Sequence, residues 1–438
     1  MIQVFPGRGA SERLSFMEAK SKQLKVVVAV HGSRGDVEPC LAAAIELRRR
    51  GHEVQMAVPP NLIDFAKASG FITVVAYGPD SQQQMQSEFF QGWRQIRNPF
   101  VLLREARQYL MQGWQEMGNV LYNLSKDADL ILTGTTYQEV AANVAEARSL
   151  PLAALHFFPC RLNTAIVPLP IPIQLLRPIW SLLEWLHWRL LSPAEDQQRL
   201  SLGLAPARTS AVRRIVSSGA LEMQGYDKLF FPELSREWGS SRPIVGFLTI
   251  EQAMDQDQEL MQWIAAGEAP VYFGFGSTPV TDSQRMLTLI TDVCAGLRLR
   301  ALICSGEGLT GHSHEADMIK LVRSVNFRLV LPCCRAVVHH GGAGTTAAAV
   351  RAGVPTVILW SVADQPVWGR VVQRLGIGVS GRLSAISHKS LRAMLIAVRA
   401  PRVVARARMI AEKMTQPSEN AVAVADLVEA KAQRHQGH

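Results

Sequence analysis

Lys25-Val-Val-Val-Ala-Val-His-Gly-Ser-Arg-Gly-Asp-Val-Glu-Pro39 opens with a largely β-branched apolar run and breaks at once into a glycine-containing turn. Such a run marks a strand buried on both faces, which is what a parallel sheet requires. A helix is expected from about Pro39 to Arg50, closed by Gly51, and a second strand from Glu53 to Val58 stops at Pro59-Pro60. The order is β-α-β. Working outward, Phe71 to Tyr77, Leu130 to Thr133, Leu152 to His156 and Leu221 to Gln224 read as further strands between helical stretches.

The pattern then starts again. Pro270-Val-Tyr-Phe-Gly-Phe-Gly-Ser277 is a strand with a glycine turn, Arg300 to Cys304, Ala336 to His339 and Thr356 to Trp360 are strands, and Thr346 to Ala352 is a helix. The expected fold is α/β, with two doubly wound parallel sheets whose strand ends face one cleft. Pro232 to Pro243 is polar, rich in Gly, Ser and Pro and without periodicity, so it is the expected linker. The predicted division is a flexible extension at 1–24, domains at 25–231 and 244–414 joined by 232–243, and a final helix and tail at 415–438.

Composition bounds the rest. With 438 residues, 48% of them apolar, the chain fills two or three domain cores, and disordered or collagen-like classes are excluded. Its 46 basic and 37 acidic residues give a net charge of +9, which suits anionic partners such as nucleotides, nucleic acid or acidic lipid. Six cysteines without a CxxC pair read as buried thiols of a reducing compartment, by default the cytosol. Ile166 to Leu191 is the most apolar region, but its prolines and charges make it a loop followed by an amphipathic helix rather than a membrane span.

The sharpest chemical signal is Val338-His-His-Gly-Gly-Ala-Gly-Thr-Thr346, between an apolar strand and an Ala-rich helix. Gly341, Gly342 and Gly344 let the backbone approach a ligand, and the helix N-terminus near Thr345 presents free N–H groups to phosphate. His340 and Thr345 add hydrogen bonds. The bland alternative is a glycine turn with two packed histidines. Asp364-Gln365-Pro366 follows the next strand on the same rim, and a carboxylate beside an amide suits sugar hydroxyls better than phosphate. Ser277 ends the first strand of the second half and is expected to face the same phosphates. In the first half, Gly32, Ser33 and Arg34 form the matching cleft loop, and Asp36 is either a general base or a helix N-cap.

Rival chemistries fit less well. The first turn lacks a full GxGxxG, Pro59-Pro60 stands where a ribose-binding acid would be, and no GxxxxGK[ST] occurs. Asp127/Asp129 and Asp255/Asp257 read as caps or polar turns, His312 and His314 as solvated, and Cys333-Cys334 has no ligands at zinc spacing.

Taken together, the motifs after residue 24 resemble family 1 glycosyltransferases of the GT-B fold. His31-Gly-Ser-Arg-Gly-Asp-Val-Glu-Pro39 and His339-His-Gly-Gly-Ala-Gly-Thr-Thr346 with Asp364-Gln-Pro366 look like the sterol, glycopeptide-antibiotic and mycobacterial glycopeptidolipid branches. The last is most similar, through Val325-Asn326, Cys334 to His340 and Tyr137 to Asn143. The resemblance implies transfer of a hexose from a UDP- or TDP-sugar to a hydroxyl, with inversion and without a cofactor or bound metal. It implies that Ser277, His340 and Thr345 hold the diphosphate, Asp364 and Gln365 the sugar, and Asp36 the acceptor proton. Val325 takes the place of the aromatic that stacks the nucleobase in plant relatives.

Acceptor clues lie in the first half. Phe157, Phe158 and Trp180 beside the Pro-rich stretch suit an apolar or lipid-like acceptor. Trp180, Trp185 and Trp188 with Arg177 and Arg189 suit either an interfacial face on the inner surface of the plasma membrane or a core-packing helix. The expected partners are therefore a nucleotide sugar and an apolar acceptor, with peripheral membrane contact and no nucleic acid. A GT-B-fold epimerase, or a nucleotide-sugar-binding protein without turnover, is the alternative. Arg402 to Met414 reads as a solvated basic helix face, and Asn420 to Ala430 as a helix folding back on the first domain.

Overall fold

Parallel strands covered by helices on both faces must be apolar over most of their length, and the central strands of this chain are, with Lys25, Thr133 and His339 only at their ends. The computed structural model describes residues 23–71, 73–87, 89, 92, 96, 98–166, 172–250, 257–276, 282–304 and 318–437. The first half forms β1 (Lys25–Ala29), β2 (Glu53–Val58), β3 (Val74–Ala76), β4 (Leu130–Thr133), β5 (Leu152–His156) and β6 (Leu221–Gln224). The second forms β7 (Val271–Gly274), β8 (Ala301–Cys304), β9 (Ile319–Val322), β10 (Ala336–His339), β11 (Thr356–Trp360) and β12 (Gly378–Arg382).

The sheets are ordered β3-β2-β1-β4-β5-β6 and β12-β11-β10-β7-β8-β9, with parallel pairing throughout the registered neighbours. In each sheet the chain reverses its direction of travel between two adjacent central strands, β1 and β4 in one and β7 and β10 in the other. That reversal opens a crevice beyond the strand ends, where ligands of such folds bind. The expected pair of doubly wound sheets is therefore present, and the loops after β1 and β10 sit at the two crevices.

Several local expectations are corrected. The first helix spans Arg34–Arg49, with Pro39 inside it, because Ser33 and Asp36 start it one turn and more before the proline. The helix after β10 spans Ala343–Arg351 and so begins at Ala343 rather than near Thr345. The expected linker 232–243 holds a helix, Pro232–Trp238, with Leu234 and Trp238 buried. Its apolar residues at i, i+3 and i+7 (Phe231, Leu234, Trp238) were masked by polar neighbours, and Val245 still donates to Gln224 of β6. The edge strands β9 and β12 were not anticipated. Half-solvated edges with Lys320, Gly378 and Gly381 lack the apolar run that marks an inner strand. Of the cysteines, Cys40, Cys294 and Cys334 are buried, whereas Cys160, Cys304 and Cys333 are half-buried. The extension at 1–22, the pair His312/His314 and most of the Asp255/Asp257 turn lie outside the described residues.

Tyr226, Phe230, Phe231, Leu234, Trp238 and Phe247, which follow β6, share one buried cluster with Ala347, Ile358, Trp368, Val371, Ile377, Ala407, Ile410 and Met414 of the second half. Only the basic side of the Pro401–Ala411 helix is therefore solvated. The last helix, Pro417–Gln436, returns to the first sheet. Val424, Ala425, Val428 and Ala432 are buried there, and Arg50 bonds Asp426 and Glu429 at 2.6 and 3.0 Å. Because the aromatic cluster belongs to both halves, Phe230→Ala should cost about 3–5 kcal/mol. Urea unfolding followed by tryptophan fluorescence and by far-ultraviolet circular dichroism should show one coincident, shifted transition.

Candidate active site

A cavity of about 1440 Å³ lies between the two sheets, lined from one side by residues 31–36 and from the other by residues 340, 342–345 and 362–365, whereas Gly341 lies against Ile358 and Gln365 instead. Gly32, Ser33, Arg34, Asp36, Phe157, Trp180, Val325, His340, Gly342, Gly344, Thr345, Asp364 and Gln365 all line it. Ser277 lies outside the described residues.

Asp36 is the third residue of its helix rather than the cap. Its Oδ2 accepts from the Ser33 N–H at 2.8 Å and from the Ser33 Oγ at 2.9 Å, the reach-back of an N3 carboxylate in a capping box. Gly32 has φ +135°, and a Cβ there would stand 2.5 Å from that same Oδ2, so glycine is required where the carboxylate folds back over the turn. Burial pushes the Asp36 pKa up to about 6, the Ser33 hydrogen bonds pull it down, and the charge of Asp364 across the cleft adds to the rise. The two carboxylates, one from each half, thus sense each other through the cavity.

Asp364 precedes the helix Gln365–Arg374 and accepts from the Trp368 indole N–H at 2.6 Å. Burial raises its pKa, and the indole bond opposes the rise. Gln365 is buried, and its Oε1 accepts from the Ser361 and Val362 amides at 2.7 and 3.1 Å, so its carbonyl shapes the loop. Ala363, between them, has φ +56°, a strained conformation of the kind found at ligand sites.

Of the paired histidines, His339 packs as the bland reading expected. It is buried, its Nδ1 accepts from the Gly341 N–H at 3.0 Å, and burial lowers its pKa well below the usual value. His340 reaches the cavity. Burial holds its pKa down to about 4, against a raising contribution from the Gly274 backbone, so the ring is neutral at physiological pH. A Cβ at Gly342 would meet His340 Nε2 at 2.5 Å, which explains glycine beside the ring. Ala343, Gly344 and Thr345 form the first helical turn, where the amides have no intrahelical acceptor and the dipole end is positive.

Phe157 is buried in the first core and lines the cavity, while Trp180 is half-buried. Val325 is buried among Tyr272, Val330 and Leu331 of the second half and lines the cavity from there. Sequence reading missed Thr135, Thr136 and the buried His31, which also line the cavity. Thr135 and Thr136 follow β4, the strand beside β1 at the crevice, and that adjacency was the available signal. His31 Nε2 lies 3.0 Å from the Pro79 carbonyl, an acceptor only, so Nε2 carries the hydrogen and Nδ1 is a buried acceptor without a partner.

Over 413 residues the chain is 49% identical to an uncharacterized glycosyltransferase of Mycobacterium tuberculosis (strain ATCC 25618 / H37Rv), covering 94% of this chain and 100% of that one. The chain belongs to the family 1-like glycosyltransferases of the GT-B fold. Residues 26–116 match the glycosyltransferase family 28 N-terminal domain, and residues 304–430 match the erythromycin biosynthesis protein CIII-like C-terminal domain. A sterol 3-beta-glucosyltransferase of Arabidopsis thaliana is 30% identical over 383 residues, covering 82% of this chain and 58% of its own. Among solved structures, the kitacinnamycin glycosyltransferase superposes with a TM-score of 0.70 at 18% identity, covering 94% and 100%. The glycosyltransferase VinC in complex with dTDP gives 0.64 at 19%, covering 92% and 100%.

Asp36 makes the glycosyltransferase trade stability for a charged group in its cleft. Between about pH 4 and pH 6 the folded chain keeps a proton on Asp36 that the unfolded chain releases, so stability falls as pH rises through that window. Asp36→Asn keeps an oxygen for both Ser33 bonds and removes the charge. Urea unfolding at about pH 8 should find the variant more stable by about 1–2 kcal/mol, with the slope between pH 4 and pH 6 diminished.

Proposed function

We propose that this glycosyltransferase moves a hexose from a UDP- or TDP-sugar to a hydroxyl of a lipid-, sterol- or glycopeptidolipid-like acceptor, with inversion and without a metal. The observation that carries the reading is the opposition across one cavity of Asp36 to the His340–Thr345 turn and Asp364. The sterol glucosyltransferase relative favours an apolar acceptor, and the dTDP-bound structural neighbour a nucleoside diphosphate leaving group.

The chemistry follows from the placement. The diphosphate sits at the amides of Ala343 to Thr345, with His340 offering an N–H, and Ser277 is assigned to the same phosphates. Val325 abuts the nucleobase. Asp364 and Gln365 orient the sugar hydroxyls so that C1 faces the first half. The acceptor lies along Phe157 and Trp180, and Asp36 takes the hydroxyl proton as the oxygen forms its bond to C1 and the C1–O bond to the diphosphate breaks. Attack from the face opposite the leaving group inverts the anomeric centre. A carboxylate with a pKa near 6 is charged at neutral pH yet a better base than an ordinary aspartate.

Release of UDP or TDP from UDP-glucose and TDP-rhamnose, measured with and without a lipid extract, tests the proposal. Turnover should require the extract. Asp36→Asn should keep donor affinity within a few-fold while turnover falls by about 10²-fold or more, and His340→Ala should weaken both. Acceptor-independent conversion of the sugar would instead identify an epimerase, and an active Asp36→Asn enzyme would remove the base from its role.

A further inference from the structure

Helix Ile173–Ser201 carries two different stripes. Trp180, Glu184, His187 and Leu191, at i, i+4, i+7 and i+11, line the cavity. Leu175, Ile179, Leu182 and Leu186 repeat the same spacing, offset by five residues and hence by roughly 140° around the helix. Leu175, Leu182 and Leu186 are 49–55% exposed, as is Trp185 beside them. Leu183 falls between the stripes, half-exposed to solvent and at the same time part of the cavity wall. The outer stripe therefore reaches the cavity mouth.

The neighbouring helix Pro99–Met111 packs against this one and extends the same character. Phe100 is 82% and Leu103 57% exposed, while Tyr109 and Leu110 of the same helix line the cavity. Charge on the two surfaces is one-sided. On the outer faces of the two helices the exposed basic side chains Arg104, Arg107 and Arg189 stand against Glu105, while Glu184 belongs to the cavity stripe and Arg177 to the side away from the leucines. Glu105 is bonded by Arg104 at 2.8 Å, and Glu184 accepts from Ser210. Five large apolar side chains in the first half of one helix and two on the next are more than a solvent-facing surface ordinarily carries, and a rim of arginines without free carboxylates complements anionic headgroups. No described helix is long and apolar enough to cross a membrane. The arrangement suits a helix lying in the interface plane.

The three tryptophans divide between the two expected readings: Trp180 lines the cavity, Trp188 bonds Glu195 at 3.1 Å, and Trp185 is exposed beside the outer leucines. Leucines, absent from the aromatic pattern, supply the surface.

We propose that these two helices dock the enzyme on an anionic lipid bilayer, seating the mouth of the acceptor half at the headgroup level. An apolar acceptor then passes along Leu183 into the cavity without crossing water. The proposal rests on the reading of that half as the acceptor site.

Co-sedimentation with vesicles of phosphatidylcholine, alone or with about one-third phosphatidylglycerol, tests it. Partitioning should be at least about ten-fold stronger on the anionic vesicles and should fall by a similar factor in Leu182→Asp/Leu186→Asp. Arg104→Gln/Arg107→Gln/Arg189→Gln should lose several-fold of the anionic preference, as should added salt. Because these side chains are exposed, thermal unfolding and transfer to a detergent-dispersed acceptor should be unchanged. Equal partitioning of wild type and the leucine variant would overturn the proposal, as would self-association abolished by Leu182→Asp, which would make a second copy the occupant. Transfer to a dispersed acceptor without vesicle binding defeats the docking face alone. Vesicle binding without transfer to any acceptor defeats the functional reading and leaves the face standing.

Discussion

The Trp368 indole is where the packing of the two halves and the chemistry of the cleft meet. Its ring is fully buried and lies within 5.7–6.5 Å of the rings of Tyr226, Phe230, Phe231 and Phe247, all from the chain that follows the first sheet. Three of the pairs are edge-to-face and the one with Phe247 is tilted, and aromatic pairs of this kind contribute about 0.5–1.5 kcal/mol each beyond simple burial. The same indole spends its single N–H on Asp364, a buried donor on a carboxylate that faces the cavity. Arg374 donates to the Phe230 carbonyl and ties the same helix to the same segment. The position of Asp364 is thus set by contacts that also fix how the two sheets face each other.

That constraint gives the cleft its electrostatic character. Asp36 is anchored by Ser33 in the turn after β1, Asp364 by Trp368 on the other half, and the shared aromatic cluster sets their charges within reach of each other. Neutral His340 and the open amides of Ala343 to Thr345 leave the opposite wall ready for negative charge. In the proposed reaction the diphosphate would meet the donors of that wall, and the acceptor hydroxyl the Asp36 carboxylate opposite it. The closing helix Pro417–Gln436 reinforces the geometry. Asn420 donates to the Phe247 carbonyl at 2.8 Å, and the Thr415 amide and hydroxyl both bond Asp227.

The inner strands and the two turns that line the cavity, after β1 and after β10, were legible in the sequence because apolar runs and glycine-containing turns have local causes. Helix starts were less so. Ser33 and Asp36 override Pro39 as the start of the first helix, since a cap pair acts over three residues and a proline can be carried in the second turn. Phe231, Leu234 and Trp238 hid in a polar composition because their partners are on the other domain, which no local pattern reveals. The tie between Trp368 and Asp364 has helical spacing, four residues, but what made it decisive was four aromatic rings supplied from more than 120 positions away in the chain. The exposed leucine stripe was likewise concealed. Periodicity identifies an amphipathic helix but not which of its faces is covered.

Carbon-13 titration of the Asp36 carboxyl, in the wild-type chain and in Asp364→Asn, measures the facing of the two halves without relying on any substrate. The wild-type midpoint should lie near 6, and removing the Asp364 charge should lower it while leaving it above that of an ordinary aspartate, because burial is the larger cause. A midpoint near the ordinary value, or one that Asp364→Asn leaves unmoved, would mean that the two carboxylates do not share a cleft.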